Sequence, residues 1–224
     1  MLAKLFSVTL EGIEGILCEV EVDVSTHAIP KPTIVGLPDA AVKESVERVR
    51  SAIINSGYNY PEMPYLVNLA PADVKKEGPA FDLPIALGVL AGTGALASEH
   101  LSEFVVVGEL ALDGRIRPVN GVLSMAMTAV QQGYKGIVVP LENAAEAAVV
   151  RDIEVYAVGS LAQAVAFLSD LLPVEATCID IDSLFDQVSK YEVDFADVKG
   201  QESVKRALTI AAAGAHNVMT LCTV

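Results

Sequence analysis

The sequence predicts an α/β fold of the α+β kind, a two-layer domain built on a mixed β-sheet. Three observations carry this. Residues 4–10 and 16–24 alternate apolar and polar side chains, the period-two signature of half-buried strands, with Gly12 and Gly15 marking the turn between them. From Thr33 to about residue 170, helix-periodic and strand-like segments then alternate. Apolar residues make up 52% of the 224, enough to fill a substantial core.

The elements follow in order. Thr33-Ile34-Val35 reads as a short strand. Gly36-Leu37-Pro38-Asp39 interrupts the chain, and Asp39 is placed to cap a helix on which Val42, Val46, Val49 and Ile53 recur at helical spacing, ended by Gly57. Tyr65 to Ala70 is a strand, and 71–81 a polar loop with Lys75-Lys76-Glu77 as charged surface. Asp82 to Ala91 reads as a buried helix with Asp82 as its N-cap. Pro84 falls in the first turn, where its missing N–H is not needed. Phe104 to Leu110 and Arg115 to Val119 read as strands joined at Leu112-Asp113-Gly114, because Asp-Gly between apolar runs favours a hairpin. A helix over 121–132, a strand over 136–139, a helix over 143–149, a strand over 153–158 and a helix over 161–168 complete the alternation.

Composition excludes several classes. The formal charge is −14, and the basic residues gather only weakly, at Lys43 to Arg50 and at Arg115 and Arg117, so both groups read as solvated surface and not as a duplex-binding patch. Cys18, Cys178 and Cys222 lie far apart, and neither they nor His27, His100 and His216 fall at metal-ligand spacing. No apolar run is long enough to span a bilayer, and the N-terminus lacks signal-peptide character, so a soluble cytoplasmic protein is expected. Asp180, Asp182 and Asp186 lack the glycine and terminal glutamate of a calcium loop and read as solvated acids. Gly92-Thr93-Gly94 follows a helix and lacks a third glycine, so it is a helix-ending loop and not a dinucleotide fingerprint.

Three long segments point to one family. They are residues 33–45 (TIVGLPDAAVKES), 67–86 (VNLAPADVKKEGPAFDLPIA) and 108–123 (GELALDGRIRPVNGVL). Together they resemble the N-terminal part of the magnesium-chelatase-like AAA+ ATPases of the ComM/YifB group. The resemblance covers residues 1 to about 217. It implies a Lon-protease-like N-terminal domain of the ribosomal-protein domain-2-like superfold, followed by an ATPase core. It also implies ATP and magnesium as cofactors of the full-length family, a hexameric ring, and contact with DNA through the core, in ATP-dependent processing such as branch migration during natural transformation. No membrane partner is implied.

The Lon-like expectation raises the question of peptidase activity. Lon enzymes use a serine after Gly-Pro and a lysine after Gly-Gly-Leu, and the nucleophile needs its base within hydrogen-bond reach. Here the corresponding segments read Gly78-Pro79-Ala80 and Gly121-Val122-Leu123. Alanine offers no nucleophile and leucine no base, so no catalytic residue is expected at either position. Ser124 with Lys76 would replace the pair only by coincidence.

Residues 194–217 resemble the entry to an ATPase module, with Val198 and Gln201 on the adenine side by analogy. A phosphate loop, G-x-x-x-x-G-K-[ST], is expected next. None occurs in the 224 residues, and 218–224 read VMTLCTV, without glycine or lysine. The expectation is a truncated module with no cofactor of its own, Val198 and Gln201 being vestigial. The apolar run Ala207 to Ala213 would then have lost its packing partner. The organisation expected is a Lon-like domain over 1–171, an acidic linker over 172–193 with a short helix near Ser183 to Lys190, an ATPase entry over 194–217 and a tail over 218–224. The function expected is a non-catalytic scaffold or assembly domain. A Ser-Lys peptidase is disfavoured by Ala80 and Leu123. A magnesium chelatase subunit would share the ATPase ancestry. A small-molecule kinase would need a phosphate loop that Lys75 to Asp82, with one glycine, does not offer.

Overall fold

The computed structural model describes residues 1–24, 31–96, 100–179 and 194–221. They divide into two compact units, Met1–Ile179 and Asp180–Val224. The expected helix near Ser183 to Lys190, the acids at 180, 182 and 186, His27 and Cys222 lie outside the described residues.

The first unit is built on a seven-stranded mixed sheet. In chain order its strands are β1 (Leu2–Glu11), β2 (Glu14–Val24), β3 (Thr33–Val35), β4 (Tyr65–Ala70), β5 (Phe104–Val106), β8 (Gly136–Pro140) and β9 (Glu154–Val158), and their order in space is β3-β4-β2-β1-β5-β8-β9. β1–β2 and β2–β4 pair antiparallel. The remaining pairs, β3–β4, β1–β5, β5–β8 and β8–β9, are parallel. The antiparallel block is the one the N-terminal alternation predicts, and the parallel half follows from the alternating helices that cross between its strands. Between β5 and β8 lies a separate two-stranded ribbon, β6 (Glu109–Leu110) with β7 (Ile116–Arg117).

Alternating strand residues divide the core in two. Val106 and Val138 pack with helices α1 (Ala40–Asn55), α2 (Asp82–Gly92) and α5 (Leu161–Leu168), whereas Val105, Ile137 and Val139 pack with α3 (Val122–Gln131) and α4 (Ala144–Ala147). Successive strand side chains point to opposite faces, so the parallel half carries helices on both. Every residue of β5 and β8 is buried, which is why these strands read as unbroken apolar runs. α2 is buried at all eleven of its positions. Its Gly88 lies against the sheet, where a Cβ would come within 2.5 Å of Val22 Cγ2.

Several expectations need correction. Phe104 to Leu110 is not one strand. Gly108 leaves the sheet to pair with the start of α2, its N–H donating to the Ala80 carbonyl at 3.0 Å and its carbonyl accepting from Leu83 N at 3.0 Å. The strand expected over Arg115 to Val119 is reduced to Ile116–Arg117, although the Asp113-Gly114 turn forms as expected, with Gly114 at φ 85°. Asp82 does not cap α2; its side chain serves α1 and β6 instead. Lys76 is not surface charge but wholly buried. Its main chain pairs with the 37–39 segment, Lys76 N donating to Leu37 O at 3.1 Å and Asp39 N to Lys76 O at 3.0 Å. Its ammonium donates to the carbonyls of Pro71 and Val74. Burial lowers its pKa, since nothing there compensates the lost hydration of the charge fully.

The second unit holds a short 3-10 turn, Phe195–Asp197, and helix α6 (Glu202–Ala213). Asp194 closes the turn by accepting from Ala196 N at 3.0 Å, while Asp197 accepts from Asp194 N at 2.9 Å. Among the described residues no helix is long and apolar enough to cross a membrane.

Candidate functional site

The segment Gly78-Pro79-Ala80 sits on a cleft of about 420 Å³ in the first unit. The end of β1 forms one side (Val8, Thr9, Leu10), and Pro118-Val119-Asn120, just after β7, forms another. Met125 of α3 closes the base. Val8, Ala80, Val119 and Met125 are buried, so the floor is mostly apolar, with Thr9 its buried polar member. Asp39, Glu77 and Glu109 also line the cleft, and no Lys, Arg or His does.

Local chemistry holds each wall. Asp39 caps α1 as its sequence predicts: its Oδ1 accepts from Val42 N at 2.7 Å. Its Oδ2 accepts from Gly78 N at 3.2 Å, which ties the start of the helix to the cleft turn. Gly78 has φ 79°, a left-handed value that costs glycine little, and Pro79 begins a short 3-10 turn. Val119 is clamped by Asn143, a buried side chain from the turn before α4. Asn143 Oδ1 accepts from Val119 N and Asn143 Nδ2 donates to Val119 O, both at 2.9 Å. Glu146 continues the network, accepting from Asn143 Nδ2 at 3.2 Å and from Leu123 N at 3.0 Å.

Asp82 ties α2 to α1 and to the ribbon that carries Glu109. Its carboxylate accepts from Arg48 Nε at 2.7 Å and Nη2 at 3.0 Å, from Ser45 Oγ, and from Leu110 N at 3.2 Å. Burial pushes the Asp82 carboxyl up, against the opposing pull of Arg48 and Ser45. Arg48, expected as part of a solvated basic group, is thus a structural partner. A sequence clue existed in Asp82, a carboxylate inside an otherwise apolar helix, but not the identity of its partners.

The expected positions fall as follows. Ala80 lines the cleft at 7% exposure. Leu123 lies at the start of α3, outside the cleft lining and 39% exposed. Ser124 lines a different depression, between the β1–β2 turn and α3. Lys76 is committed to the carbonyls of Pro71 and Val74, so the structure does not assemble a Ser124–Lys76 pair. In the second unit Val198 is 41% exposed and its carbonyl accepts from Lys205 Nζ at 2.9 Å, while Gln201 is exposed, in left-handed conformation at φ 55°, just before α6. Among the described residues no group of three His, Cys, Asp or Glu side chains could hold a metal. A larger groove, about 560 Å³, runs along α1 and the 58–64 segment, where Arg50 lies 5.6 Å from the Tyr60 ring centre. It holds none of the residues singled out for chemistry, so the smaller cleft is the candidate site.

Comparison with known proteins gives a family. Residues 20–143 match the model described as subunit ChlI of Mg-chelatase, and residues 194–223 match that of magnesium chelatase, subunit ChlI. Competence protein ComM of Haemophilus influenzae is 43% identical over 222 residues, 98% of this chain and 43% of that protein. The uncharacterized protein YifB of Escherichia coli K12 is 42% identical over 211 residues, 94% of this chain and 40% of that protein. Lon protease 2 of Bacillus subtilis is 26% identical over 101 residues, 45% of this chain and 18% of that enzyme. The chain spans about two fifths of the length of the ComM and YifB relatives.

Proposed function

Since the chain belongs to the Mg-chelatase-like family that includes ComM and YifB, we propose that its first unit is a non-catalytic scaffold of an ATPase of that kind. The observation that carries this reading is the cleft itself. It keeps an apolar floor and a shaped turn, yet presents Ala80 where a serine nucleophile would stand, with no basic side chain in its lining. A Ser-Lys mechanism needs both groups in contact. The first unit, 1–171 in this reading, would serve assembly. Residues 194–217 would open the ATPase module, and ATP, magnesium and DNA would be engaged by family members through the module's remainder. The whole-family role is then ATP-dependent DNA processing, in keeping with the competence name of one relative.

The test is casein and fluorogenic-peptide hydrolysis, with and without ATP. No turnover is the expected result, and turnover in either case overturns the reading. Native mass spectrometry tests the assembly role in parallel: a homo-oligomer is expected, and a strict monomer argues against it. A second reading, a subunit of magnesium chelatase itself, rests on the description of the matching family models. Magnesium-dependent association with a tetrapyrrole would favour it.

A further inference from the structure

The cleft around Ala80 has lost the means to cut a chain but not the shape to hold one. Its floor is Val8, Ala80, Val119 and Met125, all buried, and its volume, about 420 Å³, falls in the range of roughly 300–1,000 Å³ usual for ligand clefts. It takes a short extended segment and not a folded domain. The charged part of the lining has one sign. Asp39, Glu77 and Glu109 contribute carboxylates, and no cation lines the cleft.

The three acids are not equally engaged. Glu77 pairs with Lys75 at 2.6 Å and Glu109 with Arg117 at 3.3 Å, both through exposed cations that lie outside the lining. Pairs made through exposed cations contribute little, so a ligand cation can take the carboxylate over. Asp39 makes no ion pair among the described residues. Two main-chain N–H groups hold it in place, so its charge is oriented before any ligand arrives.

We propose that this cleft binds an extended peptide segment bearing arginine or lysine between apolar side chains. The cation pairs with Asp39 and Glu109 at the rim, and the apolar neighbours cover the floor. Charge complementarity chooses this occupant over an acidic or nucleic-acid one, and the concavity chooses a single strand of chain. The inference rests on the non-catalytic reading, since a working nucleophile would make the segment a substrate.

The experiment is fluorescence anisotropy on the intact chain. The probe is a fluorescein-labelled octapeptide alternating leucine with arginine, and its twin carries glutamate for arginine. The arginine peptide is expected to bind at least tenfold more tightly than the twin. Asp39→Asn keeps a side-chain oxygen for the α1 cap while removing charge, and Glu109→Gln removes the second rim charge. The double variant is expected to weaken the arginine peptide at least tenfold, whereas Glu62→Gln, in the remote groove, leaves it unchanged. Equal binding of the twin peptides, unchanged affinity in the double variant, or an equal loss in Glu62→Gln overturns the proposal. If the peptide is bound and cleaved, occupancy stands and the non-catalytic reading falls; if it does not bind, the proposal falls and that reading is untouched.

Discussion

Asp82 is wholly buried and meets Arg48 in a two-pronged ion pair, 2.7 Å from Nε to Oδ2 and 3.0 Å from Nη2 to Oδ1. It joins the first turn of α2 to the middle of α1, and its third partner, Leu110 N, brings in the ribbon beside the cleft. Removing one partner leaves the other charge buried and uncompensated, at a cost of about 3–5 kcal/mol. Arg48→Met should therefore destabilise the first unit by about that amount at pH 8. The sign with pH is definite. Burial already raises the Asp82 carboxyl in the folded protein, and loss of Arg48 raises it further. A raised carboxyl binds its proton more tightly when folded, so the penalty is full above the folded pKa and fades as the pH falls through it towards the unfolded value. Urea unfolding of both proteins between pH 8 and pH 4 should show the gap narrowing. A constant gap would mean that the carboxylate is not what the mutation uncovers.

Asn143 predicts a smaller and more local loss. Its amide satisfies both main-chain groups of Val119, which is otherwise buried in the cleft wall. Asn143→Ala should cost about 1–3 kcal/mol, the penalty for buried polar groups left without partners. Hydrogen exchange should rise first at Val119 and Leu123, whose amide bonds to Glu146 in the same network. Protection lost evenly across the sheet would contradict this.

Gly88 predicts a steric effect that opposes helix propensity. Alanine in a helix is favoured over glycine by about 1 kcal/mol. Here, however, the added Cβ would lie 2.5 Å from Val22 Cγ2 and 3.1 Å from Leu5 Cδ1, and valine has little freedom to turn away. Overpacking of about 1–3 kcal/mol should win. Gly88→Ala should lower Tm, and a rise would show that the α2–sheet contact has slack.

Much of this arrangement was legible in the sequence. The β1–β2 alternation, the Asp39 cap, the apolar run of α2 and the Asp113-Gly114 turn are all local signals, and each formed. What was not legible depends on partners distant in sequence. Lys76 looks like one of three solvated charges until residues 37–39 pair with its backbone and turn it inward. Arg48 looks like surface charge until Asp82, 34 residues on, lies beneath it. The break between β5 and β6 has the same origin, since Gly108 pairs with Ala80 and Leu83 instead of continuing the sheet. In the candidate site, Ala80 and Asp39 could be singled out in advance, but not that they line one cleft together with Glu109.

Introducing a hydroxyl at Ala80 should not create chemistry. Ala80→Ser places an alcohol on the cleft floor, but Leu123 supplies no base, and the Lys76 ammonium is held by Val74 O at 2.8 Å and by Pro71 O. Peptide hydrolysis by this variant should stay at background. Measurable turnover would reveal a base that the described residues do not place there.

The most direct test of the central claim is the intact mass of the chain after brief exposure to diisopropyl fluorophosphate, which reacts fastest with activated serine hydroxyls. The account predicts an unmodified mass, because no serine lines the cleft. A stoichiometric single adduct, located to one serine by peptide mapping, would contradict it and make the first unit a working hydrolase.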